Sequence, residues 1–125
     1  MTLKLLKSKI HRATVTRCDL NYEGSIGIDQ TWMEEADLFP YEAVQVWNIN
    51  NGQRFETYVL PSERGSSEIC LNGAAARLPQ CGDLVIICSF CWLEEHSARR
   101  HIAKVFSMDA KKSWASVRGL ERQLA

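Results

Sequence analysis

Residues 10–17 alternate between two faces, with His11, Ala13 and Val15 on one side and Arg12, Thr14 and Thr16 on the other. A period of two marks a strand, because successive side chains point to opposite faces. A turn over Tyr22–Ser25 leads to a second short strand, Ile26–Ile28. Trp32, Met33, Ala36 and Leu38 then fall at helical spacing behind Asp29, a suitable N-cap, and Pro40 bounds that helix. Ala43–Ile49 and Phe55–Leu60 read as strands. Asn51-Gly52 between them predicts a two-residue hairpin, since both residues accept positive φ. Glu63–Ser67 reads as a loop, Ile69–Leu71 as a strand, Ala74–Arg77 as a helical turn and the apolar run Leu84–Phe90 as a buried strand. In the tail, Trp114, Val117, Leu120 and Leu124 recur at helical spacing with basic residues between them. That predicts a short helix within 111–125, docked on the fold or on a neighbouring subunit; a membrane- or partner-binding helix is the rival reading. Many short strands with little helix point to a mainly β protein built as a small closed barrel.

Composition narrows the class. The 125 residues suit a single domain, and 46% hydrophobic with 24% charged residues is ordinary for a globular core. A formal net charge of zero argues against nucleic acid as the main partner. No apolar run approaches the ~20 residues of a membrane span. Lys4 and Lys7 interrupt the N-terminal segment, which has no long apolar core, so no secretory signal is expected. The five cysteines, at 18, 70, 81, 88 and 91, are irregularly spaced and read as reduced thiols of a cytoplasmic protein.

Four segments carry the chemistry: Lys7-Ser8-Lys9-Ile10-His11-Arg12-Ala13-Thr14-Val15-Thr16, Asn21-Tyr22-Glu23-Gly24-Ser25-Ile26, Trp47 to Tyr58, and Ile69 to Leu78. In this order and spacing the chain closely resembles the bacterial pyruvoyl-dependent aspartate 1-decarboxylases, over roughly residues 3–90. The resemblance implies a six-stranded double-psi β-barrel with short helices. It also implies self-cleavage at Gly24-Ser25 into residues 1–24 and 25–125, with Ser25 becoming a covalent pyruvoyl cofactor that forms a Schiff base with L-aspartate. The residues after Phe90 form a divergent tail. Gly27 stands where the resemblance leads one to expect a β-branched polar residue such as Thr.

The residue types suit that chemistry. Ser25 Oγ can attack the Gly24 carbonyl, shifting the acyl group from nitrogen to oxygen. β-Elimination, hydration and loss of ammonia then leave a ketone. Gly24 keeps the carbonyl uncrowded and permits φ values closed to other residues. The oxyanion needs a donor, a role the resemblance gives to Thr57. Arg54, assisted by Lys9, is the candidate grip on the β-carboxylate, because holding the departing carboxylate would stabilise the ground state. Tyr58 is the candidate proton donor, in keeping with the resemblance; a phenol keeps its proton at neutral pH. His11 and Tyr22 are candidates for positioning, and Trp47 for the pocket wall. Asn72, Gly73, Ala74 and Ala75 offer an amide and small side chains that let backbone approach a ligand. Thr57 and Tyr58 face opposite sides of a regular strand, so their two roles imply a local bend or a site spanning subunits. The resemblance favours a homotetramer with sites between neighbours, and some family members use an acetyltransferase-like maturation factor.

Each residue also has a structural reading: a plain turn at Gly24-Ser25, solvated charges at Lys9 and Arg54, packed aromatics at Trp47 and Tyr58. One rival function is an unprocessed, non-catalytic barrel serving as an interaction module. Another is a zinc-knuckle nucleic-acid binder built on Cys88, Cys91, His96 and His101. Burial of Cys88 in a strand argues against it, and no metal is expected. Aspartate and glutamate differ by one methylene, too little for sequence to separate.

Overall fold

The computed structural model describes residues 1–21, 24–73 and 80–108 in full and the backbone of 114–117. Its elements are β1 (Thr2–Thr14), β2 (Arg17–Asp19), β3 (Ser25–Asp29), α1 (Gln30–Glu35), β4 (Ala43–Asn48), β5 (Arg54–Ser62), β6 (Ile69–Asn72), β7 (Leu84–Glu94), α2 (Glu95–Ala98), β8 (Lys104–Met108) and β9 (Trp114–Val117). The strands join in one hydrogen-bonded order, β2-β6-β3-β5-β4-β7-β1-β8-β9. The mainly β class with short helices is as expected.

Six strands, β1 and β3 to β7, supply most of the aliphatic side chains that are at most 2% exposed, among them Ile10, Ile26, Ile28, Val44, Val59, Leu71 and Ile87. A single sheet buries one whole face without a second layer only by wrapping around it, which strand twist favours. Helix α1 contributes Trp32 and Met33 to the same core.

The strand at residues 10–17 departs from strict alternation. Ile10 and Ala13 are both fully buried, although three residues apart. The register on β7 shifts between them, and Arg12 takes φ 64°, so a bulge absorbs the extra residue. The strand also begins at Thr2, earlier than expected. The lysines that mask its pattern are accommodated by partners: Lys4 Nζ lies 5.2 Å from the Phe90 ring centroid, and Lys7 pairs with Glu42 at 2.9 Å.

Asp29 caps α1 as expected, accepting from Thr31 N at 2.8 Å. The helix stops before Pro40 is reached. Asp37 adopts φ 59°, and Leu38 N donates to Met33 O at 2.8 Å, which closes the last turn. The β4–β5 hairpin forms, with Gly52 at φ 76°, but its loop is longer than two residues. Asn48 accounts for that: its Oδ1 accepts from the backbone N–H of Asn50 and Asn51 and builds a wider turn.

One expectation is overturned. Trp114–Val117 is a strand, antiparallel to β8, rather than part of a helix. The open edge of β8 offers backbone partners that outweigh helical spacing. The rest of 111–125 and Ala74–Arg77 lie outside the described residues. The rival zinc-knuckle reading draws no support from β7, where Cys88 is buried and the pairing with β1 shifts register between Ser89 and Phe90. No helix among the described residues is long and apolar enough to cross a membrane.

Gly27 has a packing reason. A Cβ there would lie 2.7 Å from Ser62 Oγ and 3.6 Å from Cys70 Cβ. The glycine lets β3 sit tightly between β5 and β6.

Candidate active site

Ser25 opens β3 and is fully buried. It pairs with Asn72 on β6, and Asn72 Nδ2 donates to Ser25 Oγ at 3.0 Å. The orientation of that amide is set from its other end, where Cys70 Sγ donates to Asn72 Oδ1 at 3.1 Å. Burial pushes the Cys70 thiol pKa up, against the opposing pull of Arg17, so it keeps the proton it donates. A cavity of about 170 Å³ lies alongside, lined by Arg17, Gly27, Ser62, Glu68, Cys70 and Asn72 among others.

On its other side β3 runs parallel to β5, with Ile26 beside Val59. Continued one step back, that register sets Ser25 beside Tyr58 and Gly24 beside Thr57. The bond between Gly24 and Ser25 thus lies just before the paired stretch, level with Thr57-Tyr58 if the register continues. Ile26 and Val59 share the core face, so Ser25, Asn72 and Tyr58 share the opposite one, and Thr57 falls on the core side. Tyr58 is half-buried, its ring 6.2 Å from that of Tyr41. Gly73 follows Asn72, buried, at φ 66°.

Gly24 is exposed, and a Cβ there would meet nothing within 4 Å. Space around the residue does not by itself demand glycine in the uncut chain. Gly24→Ala is therefore expected to fold with an unchanged melting temperature. A clear drop in a thermal scan would show that the turn requires glycine.

A second group lies further along the same face. Arg54 pairs with Trp47, and its guanidinium sits 4.4 Å from the indole centroid. Trp47 pairs with Ile86, and Lys9 pairs with Cys88 two residues on. Cys88 feels both cations, although burial is the larger influence and raises its pKa. Among the described residues, neither Lys9 nor Arg54 has an ion-pair partner. A cavity of about 190 Å³ is lined by Trp47, Asn48, Ile49, Gly52, Arg54 and Ile86. His11 lies on the Lys9 face of β1 beside Ser107. Burial first, then the charges of Lys9 and Arg12, hold its pKa below the usual histidine value.

Sequence candidates therefore gather in two groups: Gly24, Ser25, Thr57, Tyr58, Asn72 and Gly73 in one, Lys9, His11, Trp47 and Arg54 in the other. Tyr22, Ala74 and Ala75 lie outside the described residues. The sequence reading missed Arg17 and Cys70. Only the parallel pairing of β2 with β6 sets Arg17 opposite Cys70, and no local pattern signals it. A roomier cavity of about 310 Å³, between α1 and Phe39-Pro40, lies apart from both groups.

The family model described as "Aspartate decarboxylase" matches residues 1–115. The chain belongs to the aspartate decarboxylase family. It is 58% identical over 109 residues to the aspartate 1-decarboxylase of Caldicellulosiruptor saccharolyticus, covering 87% of this chain and 85% of that one. It is 57% identical over 118 residues to the enzyme of Pelotomaculum thermopropionicum, covering 94% and 89%. With the enzyme of Clostridium acetobutylicum it shares 52% identity over 122 residues, 98% and 96% of the two chains. The match to aspartate decarboxylases thus runs well past Phe90 into the C-terminal segment.

Proposed function

We propose that this member of the aspartate decarboxylase family cuts itself between Gly24 and Ser25, carries a pyruvoyl group derived from Ser25, and converts L-aspartate to β-alanine and CO₂, a step toward pantothenate and coenzyme A. The observation that carries the reading is the buried Ser25 hydroxyl, held by the Asn72 amide at 3.0 Å and set by register beside Tyr58.

The residues fit such a group. An oxygen at position 25 already has an N–H donor aimed at it, and the cavity alongside is walled by the small side chains of Gly27, Ser62 and Cys70. When present, a pyruvoyl group supplies the electron-accepting carbonyl that no side chain offers. In self-cleavage, Thr57 donates to the oxygen of the Gly24 carbonyl as Ser25 Oγ attacks. In turnover, Tyr58 delivers a proton to the carbon that loses CO₂, and Arg54 with Lys9 grips the carboxylate that remains.

Tyr58 lies four residue steps along β5 from Arg54, about 13 Å at ~3.3 Å per residue. That exceeds the length of aspartate, and Arg54 is turned onto Trp47. The Ser25 group of one copy is accordingly completed by the Lys9–Arg54 group of another, within a homotetramer in the cytoplasm. An acetyltransferase-like factor is the candidate helper for maturation.

The test is the intact mass of the purified protein under denaturing conditions, with release of CO₂ from aspartate as readout. Fragments 1–24 and 25–125, the larger beginning with pyruvoyl, are expected. A full-length chain that releases CO₂ would overturn the reading. Tyr58→Phe keeps the ring contact with Tyr41 and is expected to process normally, while turnover falls by about 10²–10⁴, the usual contribution of a general acid. Unchanged turnover would remove Tyr58 from that role.

A further inference from the structure

Two cysteines outside the site lie on segments that are bonded across the fold. Cys18 is the middle residue of β2, half-buried against the rim of the core. Cys81 is exposed in the turn before β7. The backbone ties these segments together: Gly82 N donates to Val15 O at 2.8 Å, and Val15 N donates to Asp83 O at 2.9 Å. Cys81 Sγ lies 3.6 Å from the carbonyl oxygen of Thr16, two residues before Cys18, and Cys81 is among the groups that push the Cys18 pKa up. Cys70 is near but differently placed. It lies on the Arg17 face of the β2–β6 pair, opposite Cys18, and its thiol is committed to Asn72.

We propose that Cys18 and Cys81 are a redox-sensitive pair that closes to a disulfide linking the segment before Gly24-Ser25 to the segment after it. The oxidant is a low-molecular-weight disulfide, RSSR. The exposed Cys81, as thiolate, attacks one sulfur, forms a mixed disulfide and expels RS⁻. Cys18, as thiolate, then attacks the Cys81 sulfur, forms the Cys18–Cys81 bond and expels the second RS⁻. Two protein thiols are oxidised, one RSSR is reduced, and the two protons leave on two RSH. Burial, with the neighbouring Cys81, pushes the Cys18 thiol up to about 11, so the second step quickens as pH rises.

The consequence rests on the cleavage proposed above. Once the chain is cut, residues 1–24 stay in place only through non-covalent pairing of β1 with β7 and β8 and of β2 with β6. The disulfide makes the two fragments one covalent molecule, so that denaturation no longer separates them.

The experiment treats the purified protein with oxidised glutathione, then denatures it without reductant. The expected product has lost the mass of two hydrogens, and fragments 1–24 and 25–125 travel together until a reductant parts them. Trypsin cuts after Arg17, Arg77 and Arg99, so the Cys81 peptide also carries Cys88 and Cys91, and fragment-ion sequencing of the linked peptide places the bond at Cys81. Cys18→Ser and Cys81→Ser each abolish it. Stable glutathionylation of Cys81 without closure, or a bond between other cysteines or between copies, overturns the proposal. If the chain proves uncut, the lost hydrogens and the linked peptide still establish the bond, and only the tethering of fragments falls with the cleavage reading.

Discussion

Ser25→Ala is expected to yield a full-length, folded chain with no decarboxylase activity. The substitution removes both the nucleophile for cleavage and the atoms from which the ketone derives, so the loss is at least ~10⁶-fold, the lower end of enzymatic rate acceleration. The fold bears a separate cost. Ser25 is fully buried, and Asn72 Nδ2 loses its acceptor at 3.0 Å. An amide left unsatisfied there costs about 1–3 kcal/mol. That is bearable for a domain of this size, whose stability is typically ~5–15 kcal/mol. Intact mass, circular dichroism and CO₂ release together decide the matter. Turnover by a folded, uncut Ser25→Ala chain would end the pyruvoyl reading.

Asp29→Ala is expected to be among the most destabilising single changes outside the hydrophobic core, costing about 2–4 kcal/mol from the lost cap and stranded donors together. Asp29 is 1% exposed. Its carboxylate accepts from Thr31 N at 2.8 Å, Gly65 N at 3.1 Å and Ser67 N at 2.8 Å. Alanine removes the helix cap, worth ~0.5–2 kcal/mol. It also strands two loop donors, at ~1–3 kcal/mol for each that finds no water. Gly65 and Ser67 hold φ 83° and 56°, a conformation that the carboxylate secures. Urea unfolding of Asp29→Ala is best measured in the Ser25→Ala background, where one uncut chain keeps the equilibrium unimolecular. A change below about 1 kcal/mol, the least that one stranded donor costs, would show that water replaces the carboxylate.

The same residue sets a pH dependence. Burial by itself would raise the Asp29 pKa, but the N–H groups of Ser67, Thr31 and Gly65 outweigh it and hold the pKa below the ordinary aspartate value. A depressed folded pKa gives stability that is fully present above the unfolded value of ~3.9 and lost as pH falls through the folded one. Asp29→Asn should therefore lose stability at neutral pH and show a smaller further loss on acidification below about pH 4.

Much of the element order is legible in the sequence. Asp29 reads as a cap because Trp32, Met33 and Ala36 follow at helical spacing, and such signals are local. The strand at Trp114–Val117 is not legible, because its partner is the edge of β8 and its side-chain spacing points to a helix. The Ile10–Ala13 bulge is hidden for a related reason, since alternation cannot report a residue that a register shift absorbs. The wide β4–β5 loop comes from Asn48, a side chain outside the Asn51-Gly52 pair that signals the turn.

By itself, the sequence determined the mainly β class, the family resemblance and the candidates for chemistry, because residue type, spacing and order are one-dimensional properties. Tertiary structure alone decided which candidates stand together. Ile26, which follows Gly24-Ser25, is set beside Val59, which follows Thr57-Tyr58, through a parallel pairing of β3 with β5, strands far apart in sequence. Lys9 and Arg54 reach one face through two intervening strands. The segments that carry Cys18 and Cys81 are brought together only where the stretch after β1 is bonded to the turn before β7. Each depends on strand register, which is set by burying one face of the whole sheet and cannot be read from any local window.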